Sequence, residues 1–344
     1  MRNADKPRGR HSTGRPAPLA IRHSPFVSFR IPHPHPALPL PIPAPRASGY
    51  TTTTPVPLYW AAYGPAGAPR LLVLHGGPGA HHDYLLPQLL ELAREYDLVF
   101  YDQRGGGRSK HDDDREVITW RTQVEDVARV ARELGCEPLS IVGYSWGGLL
   151  ALLYAAEAFA GGAPDSAPLP TPRRLALIDP APITRQHRGA FEAEFARRQG
   201  SAEVQQLRAE LAASGLRERD PEAYRQRAFE LSVAGYFADP RRARHLTPFR
   251  VVQRVQQSVW ESLGDYDLRG RLPAVRAATL IVHGREDPIP LASSEAAARA
   301  LPNATLVVLH DCGHVPYVEA PEALFAALEP FLAAHAGSAP RETV

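Results

Sequence analysis

Cysteine is scarce in this chain, and the little present excludes a covalent framework. Cys136 and Cys312 are the only two in 344 residues, a usage that fits reduced thiols in a cytoplasmic protein better than a disulfide-stapled secreted one. Long apolar runs are missing too: none reaches the ~18–20 residues that cross a bilayer, so no membrane partner is expected. A strong excess of one charge is also lacking. The net charge of +2 conceals an asymmetry, because residues 1–48 carry eight Lys or Arg against Asp5, a balance of +7 that leaves −5 for the remainder. A mildly acidic body gives no basis for nucleic-acid binding. The histidines lack the spacing of a metal site, and neither a metal nor a cofactor is expected.

What is there is ordinary globular material, 44% hydrophobic and 22% charged, long enough for one large α/β domain with an insertion or for two domains. Residues 1–48 stand apart. They hold eleven of the 35 prolines, with near-alternating runs at His33-Pro34-His35-Pro36 and from Pro39 to Pro45. Such composition favours extended, solvated chain and builds neither a helix nor a central strand. It has neither the apolar core of a secretory signal nor an amphipathic transit helix. A disordered leader is expected, and Met1, the only methionine, leaves open an over-extended start with the body beginning near Gly49.

From residue 49 to 182 strands and helices alternate. Arg70 to Leu74 reads as a buried strand ending at His75-Gly76-Gly77-Pro78-Gly79, Tyr84 to Glu95 has helical spacing, and Asp97 to Tyr101 is a second buried strand closing on Asp102–Ser109. Trp120 to Leu134 is amphipathic, with Val124, Val127, Val130, Ala131 and Leu134 on one face. Leu139 to Tyr144 and Arg174 to Ile178 are further strands. This order predicts a mostly parallel, doubly wound sheet. Residues 183–265 then read as helix throughout, a cap inserted over the carboxyl edge of the sheet, where open α/β sheets bind ligands. Strand and helix resume over 266–335, and 336–344 is expected to be a flexible tail.

The chain is organised around Gly143-Tyr144-Ser145-Trp146-Gly147, a G-x-S-x-G pattern between a β-rich run and an apolar helix. A serine in that turn is forced into a strained conformation that exposes its hydroxyl above the sheet. It needs a base, and the base needs a carboxylate to fix its tautomer. Asp287 and His314 follow later strands in the order serine, acid, histidine, and are the expected partners of Ser145. Asp179 and Glu286 compete for the role of acid, while His75, His283 and His310 are expected to be structural. A tetrahedral intermediate also needs two backbone donors. The amide of Trp146, at the start of a helix, supplies one, and Gly77 in the His-Gly-Gly-Pro-Gly segment is expected to supply the other. The Gly77-Pro78 bond is a candidate for cis.

These segments, together with Asp102-Gln103-Arg104-Gly105-Gly106-Gly107-Arg108-Ser109 and Cys312-Gly313-His314, resemble α/β-hydrolases of the proline iminopeptidase family over about residues 50–335, most of the cap excepted. The resemblance implies an α/β-hydrolase fold and a serine aminopeptidase that releases N-terminal proline from short peptides, with Ser145, Asp287 and His314 as its triad and Gly77 and Trp146 as its oxyanion donors. Recognition of a free α-amino group calls for carboxylates near the serine, since a desolvated ammonium without a partner is costly. Glu192, Glu194, Glu230 and Glu261 are candidates, with Glu230 in the most family-like context. A hydrolase of esters, lactones or activated C–C bonds on the same triad is the rival reading. A binding protein without turnover is disfavoured by the intact triad residues.

Overall fold

The computed structural model describes residues 41–110, 118–161 and 168–334, together with the backbone of Val27–Phe29. Among the described residues nine strands form a single sheet: β1 (Val27–Phe29), β2 (Ala47–Tyr50), β3 (Tyr59–Tyr63), β4 (Arg70–Leu74), β5 (Asp97–Tyr101), β6 (Ser140–Tyr144), β7 (Arg174–Ile178), β8 (Ala278–Gly284) and β9 (Ala304–Leu309). Their spatial order is β1-β9-β8-β7-β6-β4-β5-β3-β2. Only β2 with β3 and β3 with β5 are antiparallel; the other pairs run parallel. The expected mostly parallel, doubly wound α/β sheet is therefore present.

The central strands read as continuous apolar runs because both faces of a parallel sheet are covered. Alternate residues serve opposite cores: Leu72 and Leu74 join one cluster, while Leu71 and Val73 join the other. The first cluster is closed by α1 (Trp120–Glu133) and α2 (Trp146–Phe159). Thr119 begins α1 with a capping box, its hydroxyl accepting from the Thr122 amide. Helix α2 is apolar almost all round, which fits a helix buried within the structure.

Between β7 and β8 lie α3 (Arg185–Gln199), α4 (Ala202–Ala213), α5 (Leu216–Arg219), α6 (Pro221–Val233) and α7 (Gln253–Leu263). After β8 come α8 (Leu291–Ala300), α9 (Pro316–Glu319) and α10 (Pro321–Ala333). The second core packs Leu324 and Leu328 of α10 against Leu85, Leu89 and Leu92.

Three expectations change. Tyr84–Glu95 is not one helix but two 3-10 turns, His82–Leu85 and Gln88–Arg94. Pro87 stands between them and has no amide to continue the first. The boundary at 48/49 falls inside β2, and Arg46 anchors it through an ion pair to Asp97 at 2.5 Å. Val27–Phe29, in the leader expected to be disordered, pairs with β9. An edge strand needs only one bonded side, so three residues between prolines suffice. Residues 1–26 and 30–40 of the leader and the tail 336–344 lie outside the described residues.

The loop after β5 is tied to α1 by a buried pair, Arg104 Nε to Asp126 Oδ2 at 2.8 Å and a second nitrogen to Oδ1 at 2.6 Å. Breaking a buried pair strands the remaining charge. Arg104→Met is expected to lower stability by ~3–5 kcal/mol, read as a fall in the midpoint of chemical denaturation.

Candidate active site

Ser145 sits in the turn between β6 and α2 with φ +52° and ψ −119°, one of three non-glycine residues at positive φ among those described. The glycines beside it are steric necessities. A Cβ on Gly143 would lie 2.5 Å from the Gly147 carbonyl oxygen, and one on Gly147 would run into the Leu74 carbonyl. Strand ends bring the partners in. His314 Nε2 lies 3.0 Å from Ser145 Oγ, and His314 Nδ1 lies 2.8 Å from Asp287 Oδ2. Asp287 Oδ1 accepts the Ile289 amide at 2.7 Å. The three expected residues thus form one hydrogen-bonded chain.

His314 is held on every side. Its ring packs against those of Tyr144 and Tyr236, at centroid distances of 5.2 and 5.0 Å. Its amide donates to Tyr236 O at 2.7 Å, and its carbonyl accepts from the Tyr144 hydroxyl at 2.9 Å. Glu319, buried in α9, accepts the amides of Gly313 and Ala238, each at 2.8 Å. The histidine loop and the segment after α6 are therefore stitched together. Burial disfavours the charged form of each titrating partner, pushing His314 down to about 4 and Asp287 up to about 7.

The loop expected to supply an oxyanion donor is equally fixed. Gln103 donates its side-chain amide to His75 O at 2.7 Å and its backbone amide to His75 Nε2 at 3.0 Å. The indole of Trp146 donates to Gln103 Oε1 and to Gln123 Oε1, both at 2.9 Å. Gly76 donates its amide to the Tyr84 hydroxyl at 2.6 Å. Asp102 accepts from the His82 amide and ring and from the Arg108 amide. Gly77, at φ +130° and followed by a cis bond to Pro78, lines the cavity over Ser145. The Trp146 amide opens α2, where helix geometry leaves it without an intrahelical acceptor.

That cavity has a volume of about 760 Å³. Ser145, His314, Trp260, Phe191, Phe195 and Tyr236 supply its aromatic and reactive lining, and Arg185, Arg188, Glu192 and Glu261 its charges. Arg188 is bonded to Glu192 at 2.8 Å and stacks over Trp260. Glu230, expected to bind substrate, does not line this cavity. It is buried on α6, bonded to Gln226 at 3.2 Å and to Arg227, its neighbours one helical turn back. Glu194 is likewise engaged with Arg197 and Arg198.

The competing acids and histidines have other partners. Glu286 accepts the Cys312 amide at 2.9 Å. His75 and His283 are buried in backbone and side-chain bonds at strand ends. Asp179 bonds the Gly284 amide at 2.8 Å rather than His314. Asp179, His283 and Asp287 nevertheless bring one ligand atom each within 4.8 Å of one another, a grouping that sequence spacing does not suggest. Nor does the sequence point to the packing of Tyr144 and Tyr236 against His314 or to the Glu319 anchor.

Residues 71–328 match the model described as the alpha/beta hydrolase family. A proline iminopeptidase of Lactobacillus delbrueckii subsp. lactis is 40% identical over 91 residues, 25% of this chain, and the match spans only 31% of that relative's length. One from Levilactobacillus brevis is 27% identical over 277 residues, covering 77% of this chain and 88% of its own. The structure of a proline iminopeptidase-related protein from Thermus thermophilus aligns with a TM-score of 0.63 at 25% identity, over 84% of this chain and 97% of that one. An enol-lactonase from Burkholderia xenovorans shares the fold at a TM-score of 0.57 and 20% identity, over 83% and 99%.

Burial around His314 has a measurable consequence. Its ring is expected to stay neutral well below the ordinary midpoint of ~6.5 and to take up its proton toward about 4. A titration of the His314 ring signals by NMR checks this, and a midpoint at or above the ordinary value would contradict it.

Proposed function

The chain belongs to the alpha/beta hydrolase family, and we propose that it is a serine hydrolase forming an acyl-enzyme on Ser145, with short peptides bearing a free amino terminus as substrates. The observation that carries the proposal is the unbroken chain from Ser145 Oγ through His314 to Asp287 at the floor of a cavity. Ser145 Oγ attacks the substrate carbonyl carbon while His314 Nε2 takes its proton. The charge that develops on the carbonyl oxygen is met by the amides of Gly77 and Trp146, which cost no reorganisation as it forms. His314 then gives the proton to the leaving amine, and a water activated in the same way releases the acyl group. Asp287 fixes the tautomer and stabilises the ring when it becomes charged.

The peptide reading rests on Glu192 and Glu261 in the cavity wall, which offer negative charge to a substrate ammonium, and on the proline iminopeptidase relatives. Ester or lactone hydrolysis is the second reading. It is favoured by the position of both glutamates among exposed residues of the lining, with Glu192 already paired to Arg188. Neither is a buried carboxylate dedicated to an amine. As location we propose the cytoplasm, from two buried free thiols; among the described residues no helix is long and apolar enough to cross a membrane.

Ser145→Ala is expected to leave the fold intact and to lower turnover by about 10⁴-fold or more; retained activity in a clean preparation would sink the assignment. A prolyl-arylamide, its N-acetylated form and a p-nitrophenyl ester separate the two readings. Cleavage of the free-amine amide with refusal of the acetylated one supports the aminopeptidase. Ester cleavage alone removes the peptide reading and leaves the triad standing. In the first case Glu261→Gln is expected to raise KM for the free-amine substrate with little change in kcat, as the loss of a binding contact should.

A further inference from the structure

Asp179, immediately after β7, is a carboxyl that the reaction above leaves unused. It is completely buried and holds φ at +42°, a conformation uncommon outside glycine. Its Oδ1 accepts the Gly284 amide at 2.8 Å, while its Oδ2 is buried without a hydrogen-bond partner. One oxygen of Asp179 lies within 4.8 Å of an oxygen of Asp287. Two carboxylates that close, away from water, do not both stay ionised.

The surrounding groups decide which one keeps the charge. Asp287 receives two donors, the Ile289 amide and His314 Nδ1. Asp179 receives one amide and faces no cation. His283 is the nearest basic group, its Nδ1 3.6 Å from Asp179 Oδ1. Its Nε2 meets the Ile289 carbonyl at 3.1 Å and must donate there, so in the neutral ring Nδ1 accepts from the Ser294 hydroxyl at 2.9 Å. An accepting nitrogen cannot stabilise an ionised Asp179. Burial pushes His283 down to about 3, which keeps it neutral. The other titratable neighbours of the pair, Tyr144, Tyr236, Tyr317 and Cys312, are pushed up by burial and are neutral as well, and the charge of Arg198 acts on Asp287, favouring its ionised form. Burial, with the charge of Asp287 adding to it, lifts Asp179 well above the usual carboxylate range. A bound cation does not fit the trio, because His283 donates from one nitrogen and accepts at the other and has no lone pair left to offer it.

We propose that Asp179 is a positioning residue: a neutral carboxylic acid whose Oδ2 proton is directed at Asp287 and keeps that carboxylate ionised beneath His314. This rests on Ser145, His314 and Asp287 being the reacting chain, and not on whether the substrate is a peptide or an ester.

Two measurements on the full chain test it. The first is an infrared difference spectrum at neutral pH between the native protein and Asp179→Asn. The difference is expected to contain one carbonyl band of a protonated carboxylic acid that belongs to the native protein and is lost in the variant, the other buried carboxyls cancelling; a difference spectrum without that band overturns the proposal. The second is the pH dependence of inactivation by a fluorophosphonate, which reports Ser145 reactivity without a substrate. Asp179→Ala is expected to slow the reaction about tenfold, the worth of one hydrogen bond to a charged group, and to move the acid limb to higher pH, because Asp287 then protonates more readily. Asp179→Asn, whose amide still donates, is expected to recover most of the loss. Equal losses in the two variants with an unshifted limb, or no loss in either, overturn the proposal. Should Asp179→Ala fail to fold, the infrared band and the Asp179→Asn profile decide. A native protein that the fluorophosphonate never labels would refute the serine hydrolase reading, and the infrared band would still report whether Asp179 is protonated.

Discussion

The site depends on an approach between backbones that leaves no space for a methyl group. The first turn of α2 presses on the ends of β4 and β6, with Gly143 and Gly147 at the points of contact. Only with both glycines in place can the chain turn within one residue from strand to helix, and that turn is what forces Ser145 to positive φ. Its hydroxyl and the Trp146 amide are therefore presented at one edge of the sheet by the same local constraint. The strain is held by what lies around it: α2 is buried along nearly its whole length and cannot relax without disturbing the larger core.

Around that turn the protein has assembled groups that burial keeps neutral. His75, His283 and His314 are all pushed below the ordinary histidine value by desolvation. Two carboxylates are exceptions, Asp287, ionised beneath His314 on the proposal above, and Asp102. Burial alone would raise Asp102, but hydrogen bonds from His82 and Arg108 hold it below the usual carboxylate range. A largely neutral surrounding matters because electrostatic interactions weaken with the effective dielectric. A charge developing on a bound carbonyl, or on the His314 ring, is then answered by the few oriented donors and acceptors present rather than by water.

How much of this was legible in the sequence depended on how local the cause was. Ser145 and its glycines could be found because one steric requirement fixes five consecutive residues. Asp287 and His314 could be found because a parallel sheet puts successive strand ends on one edge. The carboxylates of the helical insertion could not be assigned. α3 buries none of its residues fully, so no apolar stripe orients it; nothing in the pattern distinguishes Glu192, which faces the cavity, from Glu230, which turns to Arg227. The aromatic stack on His314 was hidden for a different reason, since Tyr144 and Tyr236 come from segments far apart in the chain. Val27–Phe29 carries no strand signal of its own, because a three-residue edge strand owes its existence to β9 rather than to its composition.

Glu319 has a bearing on how such a protein could be taken apart. Its two oxygens bind the backbone on both sides of a seam, Gly313 of the histidine loop and Ala238 of the insertion. Across the same seam, the His314 amide is bonded to Tyr236. The insertion is thus not a detachable lid resting on a finished site. An exchange of residues 184–265 with those of another family member would carry away the backbone that seats the histidine. A chimera that preserves the site would need its junctions drawn so that 236–238 and 313–319 come from the same parent. Modularity here follows the bonding across the seam rather than the order of the chain.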